Sequence, residues 1–218
     1  MVGTSIRFLV FGAIFVALLV LVRKSKWVHK KWMTILSAIL VLVLWSVSTM
    51  FPPENLFLTF PTARSAYYYM NMDHITDVLE GDESCLILSI KGSTTGMEFL
   101  PKNSRGYQLP GITPVRKLES FYINTKSGRG MVDLYHINHT NDYYLFGNWK
   151  PKDNKDNNDT FELSDNQNSE FLFYSTEIPD GTISYSFYMS VNNLTEDYEL
   201  YLNEDTTISF SKNGLEAK

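Results

Sequence analysis

The sequence predicts an N-terminal transmembrane helical hairpin followed by a mainly antiparallel β (α+β) extracytoplasmic domain with one early helix. Three observations carry that expectation. Residues 1–51 hold six Lys/Arg and no Asp or Glu, whereas residues 52–218 hold the other 13 Lys/Arg and all 24 Asp/Glu, formal charges of +6 and −11. Two uncharged runs, residues 8–22 and 33–51, flank a basic loop. Late in the chain Ile183, Tyr185, Phe187, Met189 and Val191 alternate with Ser184, Ser186, Tyr188, Ser190 and Asn192, the pattern of a sheet with one dry and one wet face.

The anchor is expected within residues 1–51. As a helix, the 19 uncharged residues 33–51 would span about 28 Å, close to the roughly 30 Å hydrocarbon core. The 15 residues 8–22 reach only about 22 Å, and Arg7 is expected to snorkel outward to lengthen the span. Arg23, Lys24, Lys26, Lys30 and Lys31 concentrate five cations in the loop 23–32, which places that loop in the cytoplasm and the acidic domain outside. For an antiparallel hairpin, facing residues should sum to about 55, setting Ala17 opposite Ala38. Ser37 is positioned to bond across, and small residues let backbones approach. Neither span contains an ionisable residue, which argues against transport.

Residues 52–218 suffice for one domain with a core. Thr62 reads as the N-cap of a helix over 62–79, which either continues to residue 79 or breaks near Met72, with residues 75–79 starting a strand. Strands are expected at 85–90, 96–100, 107–109, 118–124, 131–138, 142–149, 171–176, 183–192 and 198–202, and again around Ile208 and Phe210. Residues 125–130 read as a hairpin turn whose glycines supply positive φ, and 179–181 as another turn. The polar tract 151–169 is expected to be a mobile loop.

Chemistry is sparse. Cys85 sits among Leu86, Ile87 and Leu88 and reads as a packed core thiol; a single cysteine excludes an intrachain disulfide. Asp133, His136 and His139 are the residues that would hold a metal ion, but residues three apart on a strand face opposite ways, so convergence needs a bend near Asn138. Asp153, Asp156 and Asp159 resemble a calcium loop with Lys155 misplaced at a ligand position. Asn138, Asn158 and Asn193 begin glycosylation-type triplets. The aromatic residues Tyr67, Tyr68, Tyr69, Tyr143, Tyr144, Trp149, Tyr185 and Tyr188 are suited either to a core or to a glycan or peptide groove. No Gly-x-Ser-x-Gly, His-Glu-x-x-His, phosphate loop or dinucleotide fingerprint occurs. The acidic balance argues against nucleic acid.

Phe57-Leu-Thr-Phe60, Ala66-Tyr-Tyr68 and the run from Val78 to Leu88 resemble uncharacterised membrane-anchored exported proteins of low-GC Gram-positive bacteria, over residues 52–90. That resemblance implies a short anchor ahead of a small exported domain and brings no catalytic residues. The expectation is a two-pass protein of the cell membrane with a 52–218 binding domain outside. It needs no cofactor, has no catalytic activity and serves as an accessory or sensory component. Its partners are the lipid bilayer and either another membrane protein or a cationic peptide. The alternatives are an immunity-type protein that sequesters cationic peptides at the membrane surface and a cell-surface hydrolase.

Overall fold

The computed structural model describes residues 2–24, 30–92, 94–111, 115–152, 161–177, 183–192, 194, 198–203 and 206–210. Lys26, Asp153, Asp156, Asp159, Asn158, Asn193 and the expected turn at 179–181 lie outside the described residues. The chain divides into two compact units, one formed by Met1–Val78 and Ile87–Thr113, the other by Leu79–Leu86 and Pro114–Lys218.

The first unit begins with two long apolar helices, α1 (Val2–Lys24) and α2 (Lys30–Met50). At 1.5 Å per residue they measure about 34 and 31 Å, and both are long and apolar enough to cross a membrane. Helix α1 starts six residues before the expected span and therefore includes Arg7. Facing positions do sum to about 55. Trp45 meets the edges of Phe8 and Phe11, with ring centroids 6.4 and 5.5 Å apart. Val22 on α1 and Ser37 and Ser48 on α2 are buried, whereas Gly3 lies against Tyr69 and Met70 of the short helix that follows and Arg7 against Glu54.

Pro52 follows α2, and Pro53–Leu56 forms a single 3-10 turn. Helix α3 (Ala63–Met70) has the expected Thr62 cap: Ser65 N–H donates to Thr62 Oγ1 at 3.1 Å, and Thr62 N–H donates back to Ser65 Oγ at 3.3 Å. The helix is shorter than one running to residue 79. Asn71 is already extended, and the β-branched, alternating residues that follow form strand β1 (His74–Glu80). Together with the 3-10 turn, this replaces the single long early helix. Strands β2 (Ser84–Lys91), β3 (Thr94–Asn103) and β4 (Gly106–Tyr107) complete a four-stranded sheet in chain order.

The second unit contains the main core. Strands β5 (Val115–Asn124), β6 (Gly128–Ile137), β7 (Asp142–Pro151), β9 (Leu172–Glu177) and β10 (Ile183–Asn192) form a five-stranded sheet ordered β5-β6-β7-β10-β9. All four of its strand pairings are antiparallel. A second sheet is ordered β12-β11-β8, with β8 at Leu163–Asp165, β11 at Tyr198–Leu202 and β12 at Thr206–Phe210. Leu145, Phe187, Met189 and Val191 of the first sheet share one core with Tyr198, Leu200, Leu202, Ile208 and Phe210 of the second.

Two details revise the sequence expectations. Gly128 and Gly130 do not have positive φ; they lie in β6, where a Cβ at Gly128 would run into the Trp149 indole. Gly128 leaves room for that ring, and Gly130 for the Asn148 backbone carbonyl. The polar tract is also narrower than its composition suggests: β7 runs to Pro151, and Phe161 packs against Trp149, Tyr185 and Phe187 at 5.8, 5.4 and 5.8 Å just before β8. Aromatic burial overrides the polar neighbours there.

Candidate binding groove and the buried polar clusters

Alternation along the five-stranded sheet puts Tyr143, Leu145 and Trp149 on the core face. Their neighbours Asp142, Tyr144, Phe146, Asn148 and Lys150 are therefore on the outer face. Registry then builds two rows across the strands. Tyr122 pairs with Met131, Met131 with Asn148, Asn148 with Ser186, and Ser186 with Tyr174. One step along, Asn124 pairs with Arg129 and Arg129 with Lys150.

Tyr122, Met131 and Asn148 of the first row and Asn124, Arg129 and Lys150 of the second line a groove of about 780 Å³ together with Pro151, Lys152 and Ser184. Tyr122 is 82% exposed within it. Lys152 forms part of one wall: its ammonium donates to the Thr125 carbonyl and its backbone N–H to the Ser127 carbonyl at 3.0 Å, tying the β5–β6 turn to the end of β7. Arg129, Lys150 and Lys152 are cationic, and no described residue lining the groove is Asp or Glu. The region as a whole carries a formal charge of −11, so a lining whose described charged residues are all cationic departs from its surroundings.

The other end of the outer face is closed. Asp142 is fully buried and accepts from the N–H groups of Asp82 and Glu83 at 3.0 and 2.9 Å and from Ser84 Oγ at 2.5 Å. Ser84 Oγ also lies 2.9 Å from the Tyr144 hydroxyl. Burial pushes the Tyr144 phenol well above its ordinary value, with the hydrogen bond between Tyr144 and Ser84 opposing. A side chain at Gly81 would meet Asp142 Oδ2 at 2.6 Å and Tyr144 Oη at 2.7 Å, so glycine lets the turn close over the carboxylate. This cluster stores no accessible nucleophile; it fastens a turn to a strand. Asp165 does similar work, accepting from Tyr198 Oη at 2.9 Å and from the N–H groups of Gln167 and Ser169 at 3.1 and 2.8 Å. Burial alone would raise its pKa, but the bonds from Ser169, Tyr198 and Gln167 outweigh it and hold the carboxyl below its ordinary value.

No protein-family model and no curated protein matches this chain. Its chemistry is therefore read from its own residues.

The structure does not bring Asp133, His136 and His139 together. Asp133 is buried, accepts from Ser120 Oγ at 2.7 Å and pairs with Lys117 Nζ at 2.8 Å; that bond raises the lysine above its ordinary pKa. His136 stacks on Tyr143 at 4.6 Å, with Nε2 3.0 Å from the Thr140 carbonyl oxygen. His139 occupies the following turn at φ 67°. Among the described residues no group of three or more His, Cys, Asp and Glu is arranged to hold a metal ion. Cys85 is a fully buried thiol, as its apolar neighbours imply.

In the hairpin, Ala38 is half-buried but Ala17 is exposed, and the Ser37 hydroxyl donates to Met33 O in its own helix at 2.8 Å. Counting residues from the loop gives the level of a contact but not the rotation of the helix. Arg23 and Lys24 end α1, and Lys30 and Lys31 open α2. Arg7 does not snorkel. Only 5% exposed, it makes a two-pronged ion pair with Glu54 of the 3-10 turn, Nε–Oε1 2.5 Å and Nη2–Oε2 2.8 Å.

Of the aromatic residues singled out in the sequence, Tyr67, Tyr143, Tyr144, Trp149 and Tyr188 are buried. Tyr188, expected on the wet face, stacks on Phe146 at 5.0 Å and meets the edge of Tyr174 at 5.8 Å. The groove instead presents Tyr122, Arg129, Lys150 and Lys152, none of which stood out in the sequence. The only available signal was the hairpin itself: pairing 124 with 129 aligns cations about twenty residues apart.

Proposed function

We propose that the chain is a two-pass membrane-anchored binding module, with the 23–32 loop in the cytoplasm, the β-rich region outside and a non-catalytic accessory or sensory role. The observation that carries the reading is the groove on the outer sheet face. Its exposed phenol, amides and cations are held on a rigid sheet, an arrangement suited to recognition. The two apolar helices supply the anchor, and the basic residues at their adjoining ends supply the orientation. Sequestration of cationic peptides is disfavoured at the groove, whose charged side chains would repel them.

Topology is tested with an impermeant protease on intact cells carrying the full chain. A C-terminal tag should be removed and a tag in the 23–32 loop protected; the reverse pattern overturns the reading. A mild-detergent pull-down from native membranes then separates the roles. A stoichiometric membrane partner means an accessory subunit, whereas recovery of the chain alone means a module for a soluble or surface ligand.

A further inference from the structure

We propose that the 3-10 turn after α2 is a further membrane contact, a wedge whose apolar side chains enter the lipid interface beside the helix ends. The proposal rests on the reading of α1 and α2 as membrane-spanning helices and adds a site to it.

The side chains of the turn divide by chemistry. From Phe51 to Leu58 the sequence is Phe-Pro-Pro-Glu-Asn-Leu-Phe-Leu. Phe51, Leu56 and Phe57 are 66, 78 and 73% exposed, with Pro53 and Leu58 exposed beside them. Glu54, the one charged residue of the segment, is instead buried against Arg7. Asn55 also turns inward: its Nδ2 donates to the Leu109 carbonyl at 3.0 Å, and its Oδ1 accepts from the Leu109 N–H at 2.8 Å. A surface with its polar groups folded in and its large apolar groups out is suited to a nonpolar neighbour. An exposed carboxylate would oppose entry into lipid, and the Arg7 pair removes it from the surface.

The backbone is prepared for the same environment. Asn55 N–H donates to the Pro52 carbonyl at 3.1 Å, and those of Phe57 and Leu58 donate to the Glu54 carbonyl at 3.0 and 2.6 Å. Pro52 and Pro53 have no N–H to leave bare.

Position selects lipid over a protein partner. The Phe51 N–H still donates to the Val47 carbonyl at 2.8 Å, so the wedge continues α2 without a spacer. Glu54 then meets Arg7, which lies five residues inside α1, about 7.5 Å along the axis from Val2. The turn is therefore folded back beside the helix ends instead of leading away from them. Gly111 packs on the Met50 carbonyl, where a Cβ would come within 2.5 Å. Held by Arg7, Leu109 and Gly111, the turn offers its apolar side at the level where spanning helices leave the hydrocarbon.

The test uses the full chain carrying Leu56→Cys or Phe57→Cys, spin-labelled and reconstituted in phosphatidylcholine nanodiscs. Cys85 is fully buried and stays in place, and the unaltered chain is the labelling blank. Collisions of each label with oxygen, which concentrates in lipid, are compared with collisions with a water-soluble nickel chelate. Leu42→Cys, within α2, is the reference. Labels at 56 and 57 should favour oxygen several-fold, and less than the label at 42 does. Unchanged melting temperatures would show that the variants are folded. Labels at 56 and 57 that favour the chelate while the label at 42 favours oxygen overturn the wedge and leave the anchor standing. Chelate access at 42 as well overturns the anchor itself. Labels at 56 and 57 reached by neither reagent mean that a second copy of the chain covers the turn, which also overturns the lipid assignment.

Discussion

At one end of the outer sheet face Asp142 is fully buried, holding two backbone amides and a serine hydroxyl; at the other, Tyr122 stands 82% exposed beside Arg129, Lys150 and Lys152. Both regions are polar, and β7 contributes to both. The difference lies in where the hydrogen bonds end. The Asp142 cluster is satisfied by its own chain, and among the described residues no buried side-chain nitrogen or oxygen lacks a partner. A closed cluster of that kind contributes stability and register, because any displacement strands desolvated donors. The groove keeps Tyr122 and Arg129 at the surface, where they contribute little to folding.

The comparison would break first at Asp142. Asp142→Ala leaves two amides and a hydroxyl without their acceptor and should cost roughly 3–5 kcal/mol, at about 1–3 kcal/mol for each bare donor less what entering water recovers. A denaturant midpoint close to wild type would show that the cluster is not structural.

Arg7–Glu54 is the closed cluster of the first unit. Glu54→Ala strands a buried guanidinium and should cost about 3 kcal/mol, read as a lower melting temperature in detergent. An unchanged melting temperature would mean that Arg7 is solvated in the membrane-bound protein.

Asp165 tests the comparison by pH. Its folded pKa lies below the unfolded value, so its contribution is complete above about pH 3.9 and is lost as pH falls through the folded value. Asp165→Asn should cost about 1–2 kcal/mol at neutral pH, and the gap from wild type should close below about pH 3.9. A gap constant with pH would assign the loss to packing.

The smallest effect is expected at the groove. Arg129→Gln should change stability by less than about 0.5 kcal/mol. A larger loss would move Arg129 into the closed class and remove the reason for calling the groove a ligand site.

Much of the fold was legible because its rules are local. Two apolar runs around a basic loop mark the helices, Thr62 and Ser65 cap α3, and the alternation through Phe187, Met189 and Val191 marks a core strand. The groove was not legible, because Tyr122, Arg129, Lys150 and Lys152 converge only once strand registers are set, and register depends on pairing across the sheet. Arg7 and Glu54 are 47 residues apart, and neither residue's neighbours indicate the other.

The sequence by itself determined the apolar helices, the division of charge, the β-rich remainder and most strand positions, since periodicity and capping are properties of neighbouring residues. Only the tertiary structure decided that Gly128 makes room for Trp149, that Phe161 anchors the second half of a polar tract on the core aromatics, that Ala17 is exposed, and that the Asp142 cluster is buried while Tyr122 is not. Each of those outcomes depends on which distant atoms fill or leave a space, and no local pattern encodes that.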